Sequence, residues 1–304
     1  MKMCSVIDPP LLSIVTINFN GYKDTCELID SIKRHIHSVS YEIIVVDNAS
    51  RQQEGELIKS NYPWVSVICS TVNLGFSGGN NLGIKQANGE YIFLLNNDTY
   101  VCDDHFDVLI KLLKENDRIG IVSPKIRFAA QPQLIQYAGF TSLSHITLRN
   151  KAIGYAEVDN GQFDSTYQTG YAHGAALLIK KTVIEKIGLM PEIFFLYYEE
   201  LDWCTKALEN NYEIWYSGLA TVYHKESQST GEASPLKTYY MTRNRLLYAW
   251  RHKKGLLKWV SLLYLITVVS LRDSLKFLLP GKYHLIKATW EGIIDFIKLP
   301  HKLS

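Results

Sequence analysis

Three short apolar runs in this sequence stop on carboxylates and amides. Residues 12–18 (LSIVTIN) lead into Asn18-Phe19-Asn20-Gly21, residues 42–47 (EIIVVD) into Asp47-Asn48, and residues 90–95 (EYIFLL) into Asn96-Asn97-Asp98. A hard cation such as Mg²⁺ is commonly held by one or two carboxylates plus substrate phosphates, so a lone strand-end acid such as Asp98 suits that task. The same spacing fits an Asx-turn or a cap on a helix over 103–115. Farther on, Glu199, Glu200 and Asp202 open a helix among Tyr197, Tyr198 and Trp203. Acids there balance the positive end of a helix. Partial burial by the aromatics would also lift a carboxylate's pKa toward a value useful to a general base. His224 closes a later strand, either as a structural histidine or, if the fold carries it to Asp98, as a second metal ligand.

The elements that must position these groups read as strand, helix, strand, helix. Helices are expected over 25–37, 54–60 and 76–87, and a third strand over 65–70. Continuous rather than alternating apolar strands indicate a parallel sheet covered on both faces. In such sheets ligands bind beyond the carboxyl ends of the strands, where the three polar clusters fall together. Residues 124–168 read as a loop-rich insertion with short strands. A strand over 170–180, a helix over 182–187, a helix over 199–211 and strands over 213–216 and 219–223 follow. Three helices are expected near 236–253, 256–278 and 282–297.

Composition narrows the classes. The 304 residues are 47% hydrophobic and 20% charged, ordinary for a globular chain. The net charge of +2 conceals a division: 1–234 carries 19 Lys+Arg against 27 Asp+Glu, and 235–304 carries 13 against 3. Cys4, Cys26, Cys69, Cys102 and Cys204 form no C-x-x-C pair and read as reduced, mostly buried thiols of a cytosolic protein. The N-terminus shows no apolar run of signal-peptide length. Gly75, Gly78, Gly79 and Gly83 do not make G-x-G-x-x-G, and neither a P-loop nor zinc-ligand spacing occurs.

Taken in order, LSIVTINFNG, IIVVDNAS, NLGFSGGNNLGIKQANGEYIFLLNNDT, HGAALLIKKTVIEKIG, FFLYYEELDWCTKALENNYEIWY, ATVYHKES and YYMTRNRL resemble the family 2 glycosyltransferases of GT-A fold, with the texture of the bacterial rhamnosyltransferase-like subgroup. The likeness spans roughly 11–250. It implies a Rossmann-like, mostly parallel sheet with helices on both faces and a C-terminal helical appendage. The catalytic domain would cover 1–234, with a nucleotide half at about 11–123 and an acceptor half at about 124–234, and the basic helical region 235–304. The implied activity is transfer of a sugar, with inversion, from a nucleotide diphosphate sugar (dTDP-rhamnose or a UDP-sugar) to a saccharide or polyprenyl-diphosphate-linked acceptor of surface polysaccharide.

Carried over by residue, Asn97-Asp98 stand in the metal-binding acidic element, here Asn-Asn-Asp with one carboxylate. His224 matches a metal ligand of some members, the metal being Mg²⁺ or Mn²⁺. Asn18 and Phe19 lie beside the base, Asp47 and Asn48 match the pyrimidine-binding acids, and Asn73, Gly75 and Gly79 belong to the stretch lining nucleotide and sugar. Glu200 matches the catalytic base, with Glu199 and Asp202 orienting the acceptor or the helix. The incomplete acidic element also admits a catalytically silent scaffold of a polysaccharide assembly complex. A nucleotidyltransferase would need a Gly-rich basic motif at the first strand end, which residues 18–21 do not offer.

The apolar run 256–271 falls short of the about 20 residues a membrane span needs. With Trp259, Tyr264 and the surrounding Lys and Arg it suits an interfacial helix on anionic lipid, which places the protein on the cytoplasmic face of the plasma membrane. Packing on the catalytic domain or in a homodimer is the other reading. Nothing modular favours nucleic acid.

Overall fold

The structure, a computed structural model, describes residues 9–225 and 234–299. Cys4 and the residues just after Lys225 lie outside that range.

One sheet organises the chain. Strands β1 (Leu12–Asn18), β2 (Tyr41–Asn48), β3 (Ser66–Ser70) and β4 (Tyr91–Leu95) form its first half, joined by α1 (Tyr22–His35), α2 (Glu54–Asn61) and α3 (Gly75–Gln86). After β5 (Thr99–Tyr100) and α4 (Phe106–Glu115) come β6 (Ile119–Phe128), β7 (Ile135–Tyr137), β8 (Thr166–Gln168) and β9 (Ala176–Lys180). Then follow α5 (Lys181–Ile187), α6 (Glu199–Glu209) and β10 (Glu213–His224). The strand order is β3-β2-β1-β4-β9-β6-β10-β5, with β7 on β6 and β8 on β10.

Strand residues alternate between two cores. Leu12, Ile14, Tyr91 and Phe93 meet α1, α2 and α4 on one face. Val15, Ile92 and Leu94 meet α3, α5 and α6 on the other. This double coverage is why the strands read as unbroken apolar runs. The α/β arrangement with helices on both faces is as expected, but the sheet is mixed rather than mostly parallel. β3-β2-β1-β4 and β6-β10 are parallel, whereas β9 runs antiparallel to both β4 and β6. An apolar run buried on both faces carries no signal of its direction.

Other boundaries differ for local reasons. The strand expected over 170–180 begins only at Ala176, because residues 170–175 form a turn in which the Ala175 N–H donates to His173 Nδ1 at 3.1 Å. The two strands expected over 213–223 are one, β10, with a register shift between Ser217 and Thr221. The insertion is pinned to β6 by ionic contacts that the sequence did not reveal. Buried Lys125 pairs with Asp159 at 3.0 Å and with Asp164, and Arg127 Nε donates to Asp159 at 2.9 Å. The thiols are free among the described residues, yet only Cys204 is buried; Cys69 and Cys102 are exposed. Burial pushes the Cys204 thiol up to about 12.

The C-terminal part holds α7 (Pro235–His252), a continuous helix α8 (Gly255–Leu278) containing a π segment over Leu265–Val269, and α9 (Tyr283–Lys298). At 24 residues α8 is long and apolar enough to cross a membrane by length and composition, more than the run 256–271 implied. Its Leu262, Leu265 and Val269 pack with Leu246 and Leu247 of α7, Ile293 and Phe296 of α9, and Phe194 and Leu201.

Candidate functional site

The carboxyl ends of β1, β2 and β4 are tied together by asparagine amides. Asn18, fully buried, donates from Nδ2 to Asp47 Oδ1 at 2.9 Å and Glu54 Oε2 at 2.8 Å, and its Oδ1 accepts from Thr25 at 2.7 Å. Asn48 reaches the start of α3: its Nδ2 donates to Asn73 Oδ1 and the Gly75 carbonyl, and its Oδ1 accepts from the Leu74 N–H. Asn97 donates to Thr25 Oγ1 at 3.1 Å. Phe19, by contrast, is 41% exposed at the rim. Gly79 and Gly83 let α3 lie against β1: a Cβ at Gly83 would stand 2.3 Å from Val15. Gly75 has φ +69 and is overlain by the Phe195 carbonyl, so only glycine fits there. Asn18, Asp47, Asn48 and Asn97 therefore lie at one edge of the sheet, at or just beyond the carboxyl ends of β1, β2 and β4. Asn18 and Asn48 are spent holding loops, Asp47 is buried and accepts from Asn18, and Phe19 is exposed.

Asp98 and His224 meet because β5 follows Asp98 at once and pairs with the end of β10, placing His224 opposite Thr99. The Lys225 N–H donates to the Asp98 carbonyl at 2.9 Å, and Tyr100 stacks on Tyr223. His224 Nε2 lies 3.1 Å from Asp98 Oδ1. On the far side of the ring, Nδ1 is 2.9 Å from Gln136 Oε1, so Nδ1 carries the proton and donates. Nε2 then presents a lone pair, and Asp98 Oδ1 is buried with no hydrogen-bond partner. With His224 neutral, a ring nitrogen and a carboxylate oxygen 3.1 Å apart are donors of the type and spacing that suit a cation. Adjacent ligands about 2.1 Å from one octahedral ion would be separated by about 3.0 Å. Gln136 fixing the far nitrogen is the outer-shell arrangement typical of metal-ligating histidines. Among the described residues no group of three or more His, Cys, Asp or Glu side chains could hold a metal. A cation here would need oxygens from a substrate.

The acidic helix reaches the same end of the sheet through the turn before β9. His173 is 6.1 Å from the His224 ring. Burial, with Asp98 opposing, pushes its pKa down to about 3. The next residue, Gly174, lies under Glu200: a Cβ there would stand 3.6 Å from Glu200 Cγ. Burial raises the pKa of Glu200, against backbone N–H donors of Glu200 and Leu201 at the helix start. Glu199, more buried, is raised well above the ordinary carboxylate range, by burial first and by the Glu200 charge second. The two neighbours therefore resist being ionised together, and each leaves one buried oxygen, Oε2, without a hydrogen-bond partner.

Asp202 faces away from the crevice. It is fully buried, accepting from Arg251 Nε and His252 Nε2, both at 2.7 Å. Burial alone would raise its pKa, but the hydrogen bonds from His252 and Arg251 outweigh that and hold it low. Of the two roles foreseen, orienting the helix fits this position.

A further residue escaped the sequence reading. Phe195, Tyr197 and Tyr198 all have positive φ (64°, 67° and 75°), a strained entry to α6 for aromatic residues. Asn244 of α7, fully buried, donates to the carbonyls of Phe194, Leu196 and Tyr197 at 2.9, 2.7 and 2.8 Å. Arg243 adds the Ile193 and Phe194 carbonyls. The sequence signal for Asn244 was its place in YYMTRNRL, one of the stretches that carry the family resemblance.

Comparison with known proteins agrees with this arrangement: the family model for glycosyl transferase family 2 matches residues 13–188. The chain belongs to glycosyl transferase family 2. It is 28% identical over 244 residues to the low-salt glycan biosynthesis hexosyltransferase Agl10 of Haloferax volcanii, covering 78% of this chain and 74% of that one. Among solved structures, GalNAc-T7 with UDP, GalNAc and Mn²⁺ aligns over 88% of this family 2 chain with a TM-score of 0.62 at 14% identity. This chain spans only 58% of that protein. The mannosyltransferase PcManGT from Pyrobaculum calidifontis, in complex with GDP-Man and Mn²⁺, aligns over 96% of this chain and 76% of its own, with a TM-score of 0.55 at 13% identity. These likenesses establish the GT-A fold for this family 2 member.

Proposed function

We propose that the protein is an inverting glycosyltransferase that moves a hexosyl unit from a nucleotide diphosphate sugar, a UDP-sugar or dTDP-rhamnose, to a saccharide or lipid-linked saccharide in polysaccharide synthesis. The supporting observation is that the turn His173-Gly174 touches both halves of the chemistry: His173 lies by His224 and Asp98, and Gly174 lies beneath Glu200. Phe19 and Asp47 would receive the base, and the loop from Asn73 to Gly75 the ribose and phosphates. Asp98 and His224 would hold Mg²⁺ or Mn²⁺, which when bound offsets charge on the departing diphosphate. Glu200 takes the proton from the acceptor hydroxyl as it attacks, an effect worth roughly 10²–10⁴-fold. Burial and the Glu200 charge, which raise the Glu199 pKa, disfavour a second negative charge beside that oxygen. Attack from the side opposite the leaving group needs no covalent enzyme intermediate, so the anomeric centre inverts.

The protein would work on the cytoplasmic face of the plasma membrane. α8 exposes Leu256, Trp259, Leu263, Leu271 and Leu275, and the region from 235 onward carries the positive charge. Because α8 packs on the polar helix α7, lying in the interface suits it better than crossing.

The test is a donor screen followed by Glu200→Gln. Thermal shift with Mn²⁺ across dTDP-, UDP- and GDP-sugars identifies the donor. The variant should bind that donor as wild type does and lose at least about 100-fold in transfer. Full transfer by Glu200→Gln would remove Glu200 from the role.

A further inference from the structure

The segment 190–198 runs directly into the helix that carries Glu200, and it is tied to α3 on the donor side of the sheet. Asn81 of α3 is almost completely buried. Its Nδ2 donates to the Met190 carbonyl and to Glu192 Oε1, both at 2.9 Å, and its Oδ1 accepts from the Met190 N–H at 3.0 Å. Both polar atoms of the side chain are thus used on this one segment. Farther along, the Phe195 carbonyl accepts from the Phe76 N–H, in the first turn of α3, at 2.6 Å. The Phe195 ring stacks on Tyr240 of α7 at 5.3 Å.

α3 itself is placed without help from Asn81. Its glycines seat it on β1: a Cβ at Gly79 would stand 2.9 Å from Ile17, and one at Gly83 has still less room. Its start is held by Asn48. Loss of the Asn81 amide therefore frees the segment rather than the helix. The segment has reason to relax once freed, because the positive φ of Phe195, Tyr197 and Tyr198 persists only while the surroundings impose it. Asn244 and Arg243 grip carbonyls between Ile193 and Tyr197 from α7, and Asn81 grips Met190 and Glu192 from α3. The start of α6 is thereby referenced to the donor wall as well as to the C-terminal helices.

We propose that Asn81 is a positioning residue for the base: through Met190 and Glu192 it sets the start of α6, and so Glu200, relative to the donor-side helix. The inference rests on the transferase reading and adds to it a residue that acts through others. An error of about 1 Å between reacting groups costs roughly 100-fold in rate, so a tie between the donor wall and the base has a catalytic use besides a structural one.

Asn81→Asp keeps the acceptor for the Met190 N–H, removes both donors and sets a carboxylate against Glu192. Adding Glu192→Gln returns a donor to that pair. The measurements, on the full chain, are binding of UDP, dTDP and GDP with Mn²⁺, turnover of the donor sugar that the screen selects, with water as acceptor and read as nucleoside diphosphate release, and amide exchange over 190–204. Asn81→Asp should keep nucleotide affinity within about twofold, lower kcat about tenfold or more and speed exchange over 190–198 about tenfold. The double variant should recover part of both kcat and protection. Should Asn81→Asp fail to fold, Glu192→Ala decides, since Glu192 is exposed and its loss leaves α3 untouched; it should lower kcat about threefold. Unchanged kcat in the variant that is read overturns the proposal. So does a parallel loss of kcat and nucleotide affinity, or a double variant no better than Asn81→Asp, because either leaves Asn81 a packing residue only. Absence of nucleotide binding in wild type defeats the transferase reading, whereas wild-type binding together with any of those results defeats this inference alone.

Discussion

Asn244→Ala probes how the base is aimed. The amide donates to the carbonyls of Phe194, Leu196 and Tyr197 and accepts from Arg243 Nε at 2.8 Å. Removing it leaves buried carbonyls unpaired, each costing about 1–3 kcal/mol before relaxation. It also frees a segment in which Phe195, Tyr197 and Tyr198 hold positive φ, conformations that cost about 1–3 kcal/mol each and persist only while their surroundings impose them. Arg243 still holds the Ile193 and Phe194 carbonyls, so the loop should loosen at its Tyr197 end, directly before Glu199. We expect a loss on the order of 3 kcal/mol in stability, read as roughly 5–10 °C in Tm. Misplacing Glu200 by about 1 Å should lower kcat roughly 100-fold. Donor affinity should hold, because the Asn48–Asn73–Gly75 hydrogen bonds lie elsewhere. The assays are calorimetric melting, donor titration and single-turnover transfer. A variant that melts early yet transfers at the wild-type rate below its Tm would refute the positioning role and leave Asn244 only a structural part.

Two further predictions concern α7 and α8. Asp202 has a lowered pKa in the folded state, so its contribution to stability is present above the ordinary unfolded carboxylate pKa and is lost as pH falls through the folded value. Asp202→Asn, which leaves Arg251 and His252 facing an amide, should therefore cost about 3–5 kcal/mol at neutral pH and progressively less toward pH 3; a pH-independent loss in denaturant titrations would contradict this. Leu263→Glu with Leu275→Glu, both on the exposed side of α8, should abolish co-sedimentation with anionic vesicles without changing Tm by more than a degree or two; equal pelleting of variant and wild type would count against the interfacial helix.

Much of the site could be read from the chain because strand ends are local. Asp98 and Asp47 stand where apolar runs stop, and the parallel run of β1, β2 and β4 brings those ends to one edge. The pairing of Asp98 with His224 was open, since it depends on a two-residue strand, β5, too short to leave a pattern. The roles of Gln136 and Asn244 could not be read for a related reason: each acts through a partner far along the chain, and polar residues in loops or mid-helix look alike until the partner is known. The burial of Lys125 and the exposure of Cys69 and Cys102 ran against residue-type expectation because long-range ion pairs and edge positions decided them. Strand direction beyond β4 was hidden by uniformly apolar runs.

The central claim is that Asp98 and His224 form one end, and Glu200 the other, of a single donor–acceptor pocket. Anomalous diffraction from crystals grown with Mn²⁺ and the donor's nucleoside diphosphate tests it most directly. The account predicts a manganese peak bonded to Asp98 Oδ1 and His224 Nε2, with diphosphate oxygens completing its shell and Glu200 facing the vacated sugar position. A diphosphate bound without metal at that pair, or lying where Glu200 cannot reach the sugar site, would contradict it.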